Sequence, residues 1–122
     1  MKLRTLLLCL PLLMVVGCPS STTTVATAPG YQNSTDQQMG EILAGAHAFY
    51  NSIQQQSGAG TMTLTATQKA AFNDFGLSLN AAQTVYLAYH ANPTAANLSV
   101  AQAAVNTVQT KQAALPQPGV SQ

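Results

Sequence analysis

Apolar residues recur at alternating steps of three and four in three stretches of the chain. Met39, Ile42, Ala46, Phe49 and Ile53 form the first stripe, and Leu43 and Tyr50 widen it. Phe72, Phe75, Leu79, Ala82, Tyr86 and Tyr89 form the second, with Leu98, Ala101, Val105, Val108, Gln112 and Leu115 as the third. At helical pitch such spacing places each set on one face. Three one-faced helices can close around a shared core. The pattern therefore predicts an all-α fold, a small antiparallel three-helix bundle, with helices over about 35–56, 65–91 and 93/99–115.

Local signals set the expected ends of these helices. Thr35 and Gln38, Thr65 and Gln68, and Ser99 and Gln102 each have the spacing of a capping box, in which hydroxyl and amide satisfy unpaired backbone N–H groups. Leu64 and Leu98 precede two of these caps, where an apolar staple would sit. Residues 57–60 (Ser-Gly-Ala-Gly) break the first helix from the second. Asn92-Pro93 breaks the second from the third, because proline disfavours helix in the residue before it. Residues 94–97 are expected to form a separate turn. Pro116-Gln117-Pro118-Gly119 stops the last helix, so 116–122 reads as a disordered tail. The Ser/Thr/Pro/Gly-rich stretch 19–33 has no apolar period and reads as a flexible tether. The foldable part is 34–115.

The N-terminus has a different pattern. Lys2 and Arg4 give a positive start, residues 5–16 are almost wholly apolar, and Val15-Val16-Gly17 leads into Cys18. Such a run is too short and wrongly flanked for a spanning helix and has the layout of a secretory signal peptide. Val15-Val16-Gly17-Cys18 resembles the lipobox of bacterial lipoproteins. The resemblance implies cleavage between Gly17 and Cys18, lipidation of Cys18, and residence in the cell envelope, attached to a membrane through that lipid. It covers only residues 1–18 and implies nothing about the fold or partners of residues 19–122.

Cleavage there alters the charge inventory. Lys2, Arg4 and Cys9 leave with the leader. Asp36, Glu41 and Asp74 then face only Lys69 and Lys111, a net charge of −1 in place of the precursor's +1. No basic patch remains to draw nucleic acid. With Cys18 lipidated, no thiol is left for a disulfide, a metal or a nucleophile.

Little in the remaining sequence is arranged for catalysis. His47 and His90 are the two imidazoles. His90 projects onto the line of Phe72, Leu79 and Tyr86, and the bland reading is a half-buried histidine satisfying a carbonyl or a tyrosine hydroxyl. Glu41 and Asp74 project away from the core seam, and two histidines with three acids at these spacings do not form a zinc set. No nucleophile elbow or glycine-rich phosphate loop is present. The expectation is a protein without catalytic residues, metal or cofactor.

Polar residues on the inner faces and apolar ones off them are the remaining candidates. Gln83, His90 and Gln112 project inward and form a candidate buried polar cluster that fixes helix register. Leu77, Val85, Leu87 and Val100 project outward and form a candidate partner surface. With charged residues at 6 %, against roughly a quarter in ordinary domains, repulsion does little to oppose association. The functional expectation is a non-catalytic envelope module, an adaptor, assembly factor or inhibitor, partnered by an envelope protein or by a second copy. The alternatives are an apolar-ligand binder using Phe49, Phe72, Phe75 and Tyr86, and a phage-derived envelope lipoprotein.

Overall fold

A computed structural model describes residues 27–119, and the leader with its Gly17-Cys18 junction lies outside the described residues. The described residues hold three helices: α1 (Ser34–Gly58), α2 (Ala66–Ala91) and α3 (Ala95–Ala113). No strand occurs among them. Short connections reverse the chain twice, and each helix packs on both others, α2 most extensively on α3. The expected antiparallel three-helix bundle is the observed fold.

The stripes build the core. Leu43, Ile53, Phe75, Leu79 and Val108 are almost completely buried, and Met39, Ala46, Ala82, Tyr86, Tyr89, Ala101, Val105 and Leu115 join them. Ile42, Phe49, Tyr50, Phe72 and Leu98 pack against this cluster from its rim. Each large apolar side chain buried in this way contributes about 1.5–3 kcal/mol. Phe49 meets Phe75 edge-on at 5.8 Å, and Tyr50 stacks on Phe72 at 4.5 Å. Both geometries suit the ring quadrupole and fill the space between α1 and α2 with aromatic carbon.

The helix starts agree with the capping pattern in one case and differ in two. Thr65 caps α2 with the full reciprocal box: Gln68 N–H donates to Thr65 Oγ1, and Thr65 N–H donates to Gln68 Oε1. The first helix starts earlier than Thr35. Asn33 has extended backbone and its side-chain oxygen accepts from Asp36 N–H at 2.9 Å. Thr94 caps α3 by accepting from Asn97 N–H, so 94–97 is the first turn of α3 and no separate turn, and Ser99 lies inside the helix. The reason is positional. A capping side chain works only on a residue with non-helical backbone, and Asn33 and Thr94 are the residues that the Asn and Pro-Thr junctions hold extended.

Both flanks read as unstructured are tied to the bundle wherever they are described. Gly119 N–H reaches Gln56 Oε1 at 3.3 Å, and Leu115 is buried. At the other flank, Pro29-Gly30 forms a tight turn in which Tyr31 N–H donates to Ala28 O and Gly30 takes φ +96°. Proline before a positive-φ glycine is the pairing of a type II turn. It folds residues 27–33 back over the start of α1.

Candidate functional site

Asp36 sits in the first turn of α1, where a negative charge is favoured by the N–H groups of the helix end. Its spacing to Asn33 suits a capping box, but Asp36 Oδ2 reaches one residue further back and accepts from Gln32 N–H at 2.7 Å. The same oxygen lies 2.7 Å from His90 Nδ1. His90 occupies the last turn of α2, where exposed carbonyls favour a donor or a cation. A carboxylate can only accept, so Nδ1 carries the proton of this bond. Asp36 is the one buried charged residue among those described, and its Oδ1 has no hydrogen-bond partner.

Tyrosines surround this pair. Asn33 Nδ2 donates to Tyr89 Oη at 3.0 Å, tying the α1 cap to α2. The Tyr31 ring and the Tyr86 hydroxyl both lie over Gly40, so closely that a Cβ there would be 2.7 Å from both Tyr31 Cε1 and Tyr86 Oη. Burial first, then the charge of Asp36 and the hydroxyl's interaction with it, then Tyr31, push the Tyr86 hydroxyl up to about 12. Tyr86 is therefore a neutral hydroxyl across the physiological range. Its approach to Asp36 falls short of hydrogen-bond geometry at Oδ1.

The bundle end where α1 begins and α2 finishes thus holds an Asp–His pair framed by three tyrosines. In chemical terms it is a hydrogen-bonded clasp. The Asp36 carboxylate orders a backbone N–H from the segment before α1 and a ring N–H from α2. The His90 side chain is 32 % exposed, so its outer edge meets water. Among the described residues no group of three His, Cys, Asp or Glu side chains is arranged to hold a metal ion.

The residues singled out by sequence fall in different places. His90 bonds to Asp36, whereas Gln83 and Gln112 are half-buried and make no side-chain hydrogen bond among the described residues. His47 is half-buried on the flank of α1. Leu77, Leu87 and Val100 stand exposed at 71 %, 52 % and 54 %. Val85 does not join them, because it is half-buried and packs against the core. Asp74, projected outward, pairs with Lys111 at 2.8 Å, and Lys111 also donates to Ser78 Oγ.

An open notch of about 270 Å³ lies between the end of α1 and the start of α2, lined by Gln54, Ser57, Leu64, Lys69, Phe72 and Asn73. Of the four aromatic residues considered for an apolar ligand, Phe72 alone borders it. Sequence reasoning missed Asp36, Tyr31 and Asn33. Two signals mark them: Asp36 stands three residues before Met39, in register with the α1 stripe, and Pro29-Gly30 announces a turn before the helix.

Fold and site together define a small helical bundle with a buried polar clasp at one end. Comparison with protein-family models, with curated proteins and with solved structures finds no match to this chain.

Proposed function

We propose that the protein is a small lipid-anchored component of a bacterial cell envelope, whose bundle serves as a non-catalytic binding or structural module. The observation that carries this reading is the basic and then apolar leader ending in Val15-Val16-Gly17-Cys18. A bundle with a side-chain-filled core accords with it, since such a domain offers surfaces rather than a deep cleft. The exposed Leu77, Leu87 and Val100 are the apolar positions on which a partner would sit. No helix among the described residues is long and apolar enough to cross a membrane, so attachment would rest on the lipid at Cys18. The apolar-ligand reading is weaker, because Phe49, Phe75, Tyr50 and Phe72 pack on each other.

The test is in-cell crosslinking in a bacterial host, comparing the native chain with Cys18→Ser, Leu77→Lys and Val100→Lys. The reading expects one envelope protein, or a second copy, to be captured by the native chain. Capture should be lost with Cys18→Ser and weakened by the surface lysines. Membrane retention of a Cys18→Ser chain from which the leader has been removed, or capture indifferent to all three changes, would contradict it.

A further inference from the structure

We propose that residues 27–33 are a strap, latched on the bundle by Asp36, which His90 holds in place, and that it opens without unfolding the three helices. Besides the Asn33 cap, through which the strap joins α1, four contacts hold it, all at one bundle end. Ala28 N–H donates to Gln37 Oε1 at 2.8 Å, Gln32 N–H donates to Asp36 Oδ2, Asn33 bonds Tyr89, and Tyr31 lies over Gly40. No residue of 27–33 belongs to the apolar core or to the rim packed against it. The core therefore closes without the strap, and few apolar contacts oppose its release, which places it at the low end of local stability.

The latch is balanced by its own chemistry. Closing the strap adds the Gln32 bond to the one that Asp36 Oδ2 already shares with His90, but leaves Oδ1 buried with none. A buried acceptor without a partner opposes the closed state, and opening relieves it by admitting water. The titratable groups around the latch are His90, Tyr86 and Tyr89 from α2 and Tyr31 from the strap. No charged group of α3 bonds to Asp36 among the described residues. Gains and costs of this kind, set against each other in one small segment, make a two-state element.

The strap stands independently of the anchor reading, but its consequence rests on it. For a chain held at Cys18, opening would add at most ~25 Å of extended chain between anchor and bundle. The latch would thus set how far the module stands from the membrane.

The test is amide hydrogen exchange on the full chain in detergent, repeated with Cys18→Ser so that failure of the anchor reading leaves the strap measurable. In the native chain, Ala28 and Gln32 amides should exchange slower than in a free peptide yet about tenfold or more faster than core amides such as Leu79 and Val105. Asp36→Ala should raise exchange at Ala28 and Gln32 together by about tenfold and move the core amides by a smaller factor. Tyr31→Ala leaves every helix bond in place and should do the same, which keeps the test open where Asp36→Ala fails to fold. Free-peptide rates in the native chain, rates equal to the core, or an equal change in strap and core would each overturn the proposal.

Discussion

Two glycines in the middle of α1 allow the closeness of the strap to be weighed against helix propensity. A Cβ at Gly45 would meet nothing within 4 Å, whereas one at Gly40 would meet Tyr31 Cε1 and Tyr86 Oη at 2.7 Å and Tyr31 Oη at 3.3 Å. Replacing a helix-interior glycine by alanine gains about 1 kcal/mol where space is free. Gly45→Ala should therefore stabilise the protein by about that amount. Gly40→Ala gains the same propensity but overpacks two tyrosines, one of them buried in the core, at a cost of roughly 1–3 kcal/mol. The two substitutions should differ by that cost, with Gly40→Ala neutral to destabilising. Urea unfolding followed by circular dichroism at matched slopes measures both. Tyr31→Ala removes two of the three contacts, so in that background Gly40→Ala should recover a large part of its deficit, a coupling that a double-mutant cycle isolates. Equal stabilisation by both alanines, or no coupling to Tyr31, would refute the packing described at Gly40.

The same structure sets three further outcomes. Tyr86 is held neutral, with its hydroxyl raised from 10.0 to about 12. Its contribution is whole below pH ~10 and fades as pH rises through ~12, a loss of about 2–3 kcal/mol at roughly 1.4 kcal/mol per unit. Alkaline urea titrations should show that fall, and Tyr86→Phe should flatten it; an unchanged alkaline slope counts against the buried hydroxyl. Phe75 is fully buried, so Phe75→Ala should cost about 3–5 kcal/mol and lower Tm by more than ~12 °C, and a shift of only a few degrees would deny it a central place. The Lys111–Asp74 pair is solvent-exposed, with side chains 31 % and 60 % accessible, so Asp74→Ala should cost under ~1 kcal/mol, less still in high salt. A loss above ~2 kcal/mol would show a role beyond a screened surface pair.

The helices were legible because burial imposes a period. Met39, Ala46 and Ile53 in α1, and Phe75, Leu79, Ala82, Tyr86 and Tyr89 in α2, are buried where the spacing places them. The caps were only partly legible. Ser/Thr-x-x-Gln marked the three expected helix starts, but backbone conformation decides which side chain caps, and that choice went to Asn33 and Thr94 in two of the three helices. The clasp was hidden for another reason. An aspartate in an apolar register is ordinarily taken for a surface residue, and its partner His90 lies 54 positions away on another helix. Only the meeting of the α1 start with the α2 end brings them together. The strap was hidden by composition: a Ser/Thr/Pro/Gly-rich stretch reads as tether, while Pro29-Gly30 within it forms a specific turn that seats Tyr31 over Gly40. Val85 shows the limit of a helical projection, since packing half-buries a residue that an ideal wheel places outside.

The proposed place of this bundle in the cell depends on its attachment to a membrane through Cys18. Mass spectrometry of the protein recovered from the membranes of a bacterial host bears on that attachment without an intermediate step. An N-terminal fragment beginning at Cys18 and carrying the added mass of a lipid is the expected result. A chain still beginning at Met1, or a processed chain with an unmodified Cys18 thiol, would contradict the attachment.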